Sequence, residues 1–273
     1  MKKITSEKIR KVISSLCAQA NFSLRRDLLA ALKAARAKEP NKRNKRMIGA
    51  IIENAAVAKK DKLAICQDTG LPIVFLEVGQ GVQITGDLNA AVNKGVEEGY
   101  RKAYLRNSVI RDPLLRGSPG YQPAVMHIDM VRGSRLKITL LPKGFGCENK
   151  SALKMFRPTA GVDEIKEFII ETVKNAGPDA CPPYIVGVGI GGSADYASLL
   201  AKKALLRRIK ISPKGLEREL LHKINKLHIG TMGLGGRVTA LGVHIETHPT
   251  HIAGLPVAVN ISCHALRSAT AVL

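Results

Sequence analysis

Cys181-Pro182-Pro183-Tyr184-Ile185-Val186-Gly187-Val188-Gly189-Ile190-Gly191-Gly192-Ser193 decides the fold class of this 273-residue chain. The paired prolines cannot continue a helix and hold the backbone before them extended, so a strand is expected over 184–188. Glycines at 187, 189, 191 and 192 then interrupt the run. A helix is expected from near Ser193, carrying Leu199, Leu200, Leu205 and Leu206. Upstream, a helix near 162–175 leads through Gly177-Pro178 to Cys181. Downstream, glycine-rich turns at 230–236 precede strand-like runs at 238–245 and 257–261. Helical and strand patterns mix along the chain with no internal repeat and no long linker, which predicts an α+β architecture.

Working back toward the N-terminus, Ile9, Val12, Ile13, Leu16, Cys17 and Ala20 follow helical spacing behind a possible Ser6 cap. Leu24, Leu28, Leu29 and Leu32 repeat the pattern behind Ser23, and a third helix is expected over 44–59. Cys17 therefore reads as core packing. The first sixty residues are expected to form a helical lobe on an α/β region spanning about 61–273, the whole being one domain over 1–273. An apolar run over 73–78 reads as a strand, 87–105 as a helix. Alternating segments at 124–131 and 135–143, joined across Gly133, read as a hairpin.

With 45% hydrophobic residues the chain can bury a substantial core. No uninterrupted apolar segment is long enough to span a bilayer, and the basic N-terminus leads into charge-interrupted, helix-periodic sequence. A cytoplasmic location without a membrane partner is expected. Five cysteines, an odd number, suit reduced thiols or metal ligands better than a disulfide frame. The formal charge of +21 would attract nucleic acid, anionic membrane or polyanionic substrates. Base-stacking platforms need aromatics, which are only 4% of the chain. A basic nucleic-acid-binding or assembly protein without a metal cluster is thus the alternative from another class.

Three cysteines stand in chemically distinctive surroundings: Cys66 in Ile65-Cys66-Gln67-Asp68-Thr69-Gly70, Cys181 before its prolines, and Cys263 in Ser262-Cys263-His264-Ala265-Leu266-Arg267. Three thiolates can hold three corners of an iron-sulfur cube and leave the fourth iron open as a Lewis acid. Their spacing contains no Cys-x-x-Cys pair, so three buried, inert cysteines are the competing reading. Gly144-Phe145-Gly146-Cys147-Glu148-Asn149, directly after a strand, could present backbone amides to an anion, as could the glycine run at 187–192. Close backbone packing at a turn is the competing reading for glycine.

Together with the run Leu105-Arg106-Asn107-Ser108-Val109-Ile110-Arg111-Asp112-Pro113, Gly233-Leu234-Gly235-Gly236 and His251, these motifs resemble the alpha subunit of class I fumarate hydratases and L-tartrate dehydratases. These are oxygen-sensitive iron-sulfur hydro-lyases. The resemblance covers about residue 60 to the C-terminus. It implies Cys66, Cys181 and Cys263 as ligands of a 4Fe-4S cluster with one open iron. It also implies Gln67, Arg106 and the Gly146 amide as substrate-carboxylate contacts, and Asp68 with His251 as candidates for proton transfer. Taken alone, Asp68 could cap a turn, Arg106 could end a helix and His251 could be an ordinary loop histidine. The chain departs from the family in carrying Cys147 where serine is usual and Lys150 where methionine is usual, and Cys147 is left out of the ligand set.

The implied reaction removes water reversibly from a small hydroxy-dicarboxylate, (S)-malate giving fumarate, with L-tartrate giving oxaloacetate as the alternative. In that family a second region, a beta subunit or fused C-terminal domain, completes the site. The chain stops six residues after Arg267, so it is expected to be half of an active site, working as a hetero-oligomer with a beta subunit.

Overall fold

The computed structural model describes residues 1–210 and 212–273. The elements follow in the order β1 (Lys2–Thr5), α1 (Ser6–Phe22), α2 (Arg26–Lys38), α3 (Lys42–Asp61), β2 (Leu71–Gly79), β3 (Val82–Thr85), α4 (Leu88–Lys102), β4 (Val125–Val131) and β5 (Leu136–Lys143). They continue with α5 (Phe145–Glu148), β6 (Ala152–Phe156), α6 (Val162–Ala176), β7 (Tyr184–Gly192), α7 (Ala194–Ala204), α8 (Gly215–Asn225), β8 (Ala240–Thr250), β9 (Leu255–Ser262) and β10 (Ala269–Val272). The expected α+β class is what the chain adopts. Its contacts divide it into two units, one of residues 1–24, 55–144 and 267–273, the other of residues 25–54 and 145–266. Helices of the first sixty residues are shared between the two.

In the first unit, α1 and α4 cover a four-stranded sheet of order β10-β5-β2-β4, while β1 pairs in parallel with β3. Ile9, Ile13, Leu16 and Cys17 of α1 meet Val92, Val96 and Tyr100 of α4 over Val74, Leu76, Ile138 and Leu140. Burying each such aliphatic side chain contributes about 1.5–3 kcal/mol. The helices approach closely because Gly99 carries no side chain: a Cβ there would lie 2.6 Å from the Ser14 carbonyl oxygen. Thr5, not Ser6, caps α1, its hydroxyl accepting from the Lys8 amide at 3.2 Å.

The segments expected to form a hairpin do not pair with each other. β2 lies between them, parallel to β4 and antiparallel to β5. The tight link across Gly133 survives as hydrogen bonds to the end of β2, from the Gly79 amide to Arg135 and the Gln80 amide to Val131.

The second unit holds a sheet of order β6-β9-β7-β8, with α6 and α8 packing Ile169, Val173, Leu220 and Ile224 against Val186, Val188 and Val259. Gly187 and Gly189 do not interrupt β7; they lie inside it. A Cβ on either would fall about 2 Å from the Ala201 or Ala197 carbonyl oxygen of α7 (2.1 and 2.0 Å), so these glycines serve close packing rather than anion binding.

The two sheets repeat one design that the sequence does not display. In each, a central strand (β2, β7) has a parallel neighbour reached through a helix (β4, β8), an antiparallel neighbour that follows it (β5, β9), and an outer strand antiparallel to that (β10, β6). Cys66 and Cys181 each stand in the turn leading into the central strand of their own unit.

Candidate functional site

Cys66, Gln67, Asp68 and Arg106 belong to the first unit, on the loop before β2 and the loop after α4. The 65–70 loop is pinned along its backbone. The Ile65 amide donates to the Asn21 carbonyl at 3.0 Å, the Tyr100 hydroxyl donates to the Thr69 carbonyl at 2.9 Å, and Arg267 Nη2 donates to the Asp68 carbonyl at 2.6 Å. Gly70 adopts φ +79°, and a Cβ there would lie 2.6 Å from the Pro142 carbonyl carbon, so only glycine lets the loop close onto β5. With its backbone held, the loop presents a half-exposed Cys66, an exposed Gln67 and a half-buried Asp68.

Asp68 Oδ1 accepts from the Gly70 amide at 2.9 Å, the turn-capping bond foreseen as its ordinary role. Its other oxygen faces Gly144, where a Cβ would lie 3.3 Å from Oδ2. The Arg106 amide donates to Thr69 Oγ1 at 3.1 Å, tying the second loop to the first, while its guanidinium is exposed and reaches the Gln67 carbonyl at 3.5 Å. Arg106 lies beyond α4 in this loop and does not end the helix.

Gly146, Cys181, His251 and Cys263 belong to the second unit. Cys181 adopts φ +57°, a conformation costing an ordinary residue of order 1 kcal/mol. Both the amide and the Nδ1 of His264 lie on its carbonyl, at 3.4 and 3.0 Å. A carbonyl only accepts, so the His264 proton sits on Nδ1. The turns of Cys181 and Cys263 are thereby joined. The Met232 amide adds a bond to the Pro182 carbonyl at 2.8 Å, placing the glycine-rich segment beneath the same turn. Cys263 Sγ accepts from the Ala265 amide at 3.3 Å, a contact that favours a thiolate.

Gly146 lies in α5, and a Cβ added to it would meet nothing within 4 Å. Glu148 anchors that turn by accepting from Lys202 at 2.6 Å and Asn260 at 3.0 Å. His251 is exposed at the end of β8; its Nδ1 accepts from the Ala253 amide at 3.1 Å, so a neutral ring carries its proton on Nε2. A surface cleft beside it is lined by Ser193, Asp195, Tyr196, His248 and Thr250.

The cysteines sort by burial. Cys66, Cys181 and Cys263 are half-exposed, whereas Cys17 and Cys147 are buried. Burial pushes the Cys17 thiol up to about 12, and Cys147 donates to the Ala180 carbonyl at 3.2 Å inside the second unit's core. Among the described residues, no three His, Cys, Asp or Glu side chains group around a single-ion site, and no helix is long and apolar enough to cross a membrane.

A family model described as fumarate hydratase (Fumerase) matches residues 10–272. The chain belongs to that family. It is accordingly a hydro-lyase chain, as the motifs implied. A protein of Methanocaldococcus jannaschii provisionally named L(+)-tartrate dehydratase subunit alpha is 42% identical over 275 residues, covering 96% of each chain. The L(+)-tartrate dehydratase subunit alpha of Escherichia coli (strain K12) is 30% identical over 272 residues, 96% of this chain and 90% of its own. This fumarate hydratase-family chain thus corresponds to the alpha type of subunit nearly end to end. Arg267 and Tyr100, which hold the 65–70 loop, were assigned no role from sequence. For Arg267 a signal was present, since it closes the Cys263 motif.

Proposed function

We propose that this chain is the alpha subunit of an iron-sulfur hydro-lyase that reversibly dehydrates a small hydroxy-dicarboxylate, with (S)-malate and fumarate as its substrate pair. The observation that carries the reading is the donor set: three half-exposed cysteines, each on a turn fixed through its backbone, beside two buried cysteines that are not part of it. Cys66, Cys181 and Cys263 would ligate one 4Fe-4S cluster. Such a cube asks for one thiolate per iron, a different demand from the tight donor group of a single ion. When bound, the cluster's open iron would act as a Lewis acid toward the substrate hydroxyl.

The chain's own residues would do the rest. In malate the C3–H bond breaks to a base, its electron pair becomes the C2–C3 double bond, and hydroxide leaves C2 and is protonated to water. Negative charge builds on the carboxylate beside C3 in the transition state. Fixed donors aimed there lower the barrier, the role of the exposed Arg106 guanidinium, the Gln67 side chain and the Gly146 amide. Asp68 Oδ2 and His251 Nε2 are the groups left to move protons, because Asp68 Oδ1 and His251 Nδ1 are each occupied by a backbone amide.

L-tartrate, giving oxaloacetate, is the second reading, favoured by the names of both relatives. It differs from malate by one hydroxyl, which a site built to hydrogen-bond that group would select strongly. The names also support a beta partner. Large apolar side chains flank Arg106 on the surface, with Tyr104, Leu114 and Leu115 at 96, 88 and 85% exposure. A partner covering them would sit where a dicarboxylate binds. A cytoplasmic location is part of the same proposal.

The test is anaerobic cluster reconstitution with and without a co-expressed beta subunit, assayed on (S)-malate, fumarate and L-tartrate. The pair should turn over (S)-malate and fumarate, and the chain alone should turn over little. Full activity of the chain alone would refute the subunit reading. Preference for L-tartrate would replace the first substrate with the second.

A further inference from the structure

β4 is the outer strand of its sheet, and its sequence is nearly a palindrome: Val125-Met126-His127-Ile128-Asp129-Met130-Val131. Read from either end, valine, methionine and a polar residue precede the central isoleucine. An outer strand presents unpaired backbone groups along one side, and proteins usually protect such an edge with prolines, bulges or repeated lysines. β4 has none of these. Instead it exposes apolar side chains, with Val125 at 38%, Ile128 at 49% and Met130 at 64%.

In an antiparallel pair of identical strands, a two-fold axis through Ile128 sets each residue opposite its mirror position. Val125 then opposes Val131 of the second strand, Met126 opposes Met130, and His127 opposes Asp129. Every pairing is apolar on apolar or histidine on aspartate, and the histidine–aspartate pair occurs twice by symmetry. A register shifted by two residues along one strand would place His127 opposite itself or Asp129 opposite itself. Opposed like charges disfavour that register in strand pairs. The sequence therefore selects one register as well as one orientation. His127 is already fixed on its sheet face, stacked on Phe75 with ring centroids 5.2 Å apart.

We propose that β4 is a self-association surface: two copies of this chain join edge to edge through antiparallel β4 strands centred on Ile128, extending the four-stranded sheet of the first unit across a two-fold axis. Closed two-fold pairing buries the edge in both copies and leaves no further edge on that side. The inference stands on the strand alone and does not depend on the substrate or cofactor of the chain.

The full-length chain is studied by sedimentation velocity over a range of concentrations, with His127→Asp, Asp129→His and the double exchange His127→Asp/Asp129→His. Wild type should dimerise with concentration. His127→Asp opposes two aspartates at both ends of the pair and should weaken the dimer at least tenfold. The double exchange restores opposite partners at each position and should return the affinity to within about threefold of wild type. Met130→Glu, at a largely exposed position, should also weaken association at least tenfold without altering the thermal transition, which separates loss of the interface from loss of the fold. In Ile128→Cys, mild oxidation should link the two copies through residue 128 alone, as read by peptide mapping. A wild-type chain monomeric throughout, a double exchange no better than His127→Asp, or a disulfide from residue 128 to any other cysteine would overturn the proposal.

Discussion

Replacing Arg267 by methionine tests whether the cysteine-bearing loop is held from the C-terminal end of the chain. The guanidinium is 3% exposed and donates to the Asp68 carbonyl at 2.6 Å and to Asn21 Oδ1 at 3.3 Å. A hydrogen bond from a charged donor contributes about 1.5–3 kcal/mol when short, and the longer contact about 1 kcal/mol. Methionine fills similar volume but leaves both acceptors without this donor. Against the loss stands the cost of burying the charge, since Arg267 Nε has no hydrogen-bond partner among the described residues. Relieving that cost returns about 1–2 kcal/mol. The net destabilisation is about 1–3 kcal/mol, a fall in melting temperature of about 2–8 °C for a chain of this size. A stronger signature is local. Amide exchange at Thr69 and Gly70 should accelerate, and turnover of the reconstituted complex should drop about 100-fold, the usual consequence of displacing a catalytic group by an ångström. Arg267→Lys, which can keep one of the two bonds, should recover part of each effect. If Arg267→Met melts within a degree of wild type and Gly70 exchange is unchanged, Arg267 does not position this loop.

Other perturbations probe separate links. Gly189→Ala puts a methyl group 2.0 Å from the Ala197 carbonyl oxygen, forcing α7 off β7, and should cost about 3 kcal/mol in thermal unfolding. Gly146→Ala meets no atom within 4 Å, so its melting temperature should match wild type, while KM for dicarboxylate rises because the methyl projects toward the proposed carboxylate contact. His244 is buried and donates to the Ala204 carbonyl at 3.0 Å; burial first, and Arg207 second, hold it below its ordinary value of 6.5. The unfolded chain then takes up the proton more readily than the folded one. Stability from this group is full above about pH 6.5 and falls as pH drops below it. Thermal melts of wild type and His244→Gln between pH 7.5 and 5 should show a smaller acid loss in the variant.

Much of the fold was legible because local pattern and tertiary role coincide. α4 and α6 fall almost where apolar spacing placed them, since one face of each packs on a sheet. The hairpin expectation failed for a non-local reason. Gly133 does join β4 to β5 in sequence, but β2 arrives from some fifty residues upstream to separate them, and no turn residue records that. The glycines of β7 were read as breaks because glycine weakens a strand on average. Here the missing side chains let a helix lie directly on the backbone. α8 carried a signal that was overlooked: Leu216, Leu220 and Ile224 recur at helical spacing. The repeated design of the two sheets left no sequence trace, since strand order is set by pairing and tolerates quite different side chains. At the candidate site, motif residues were legible, but the groups holding them were not. Tyr100 and Asn21 act through carbonyls of a loop distant in sequence, and a single tyrosine or asparagine in a helix carries no mark of that partner.

The central claim is that Cys66, Cys181 and Cys263 act as one ligand set. Iron, sulfide and visible absorption should be measured on anaerobically reconstituted Cys→Ala variants at each of the five cysteines. The account predicts about four irons and four sulfides per chain in wild type, Cys17→Ala and Cys147→Ala, and loss of the cluster in Cys66→Ala, Cys181→Ala and Cys263→Ala. A cluster retained at full iron content when any of those three is removed would contradict it.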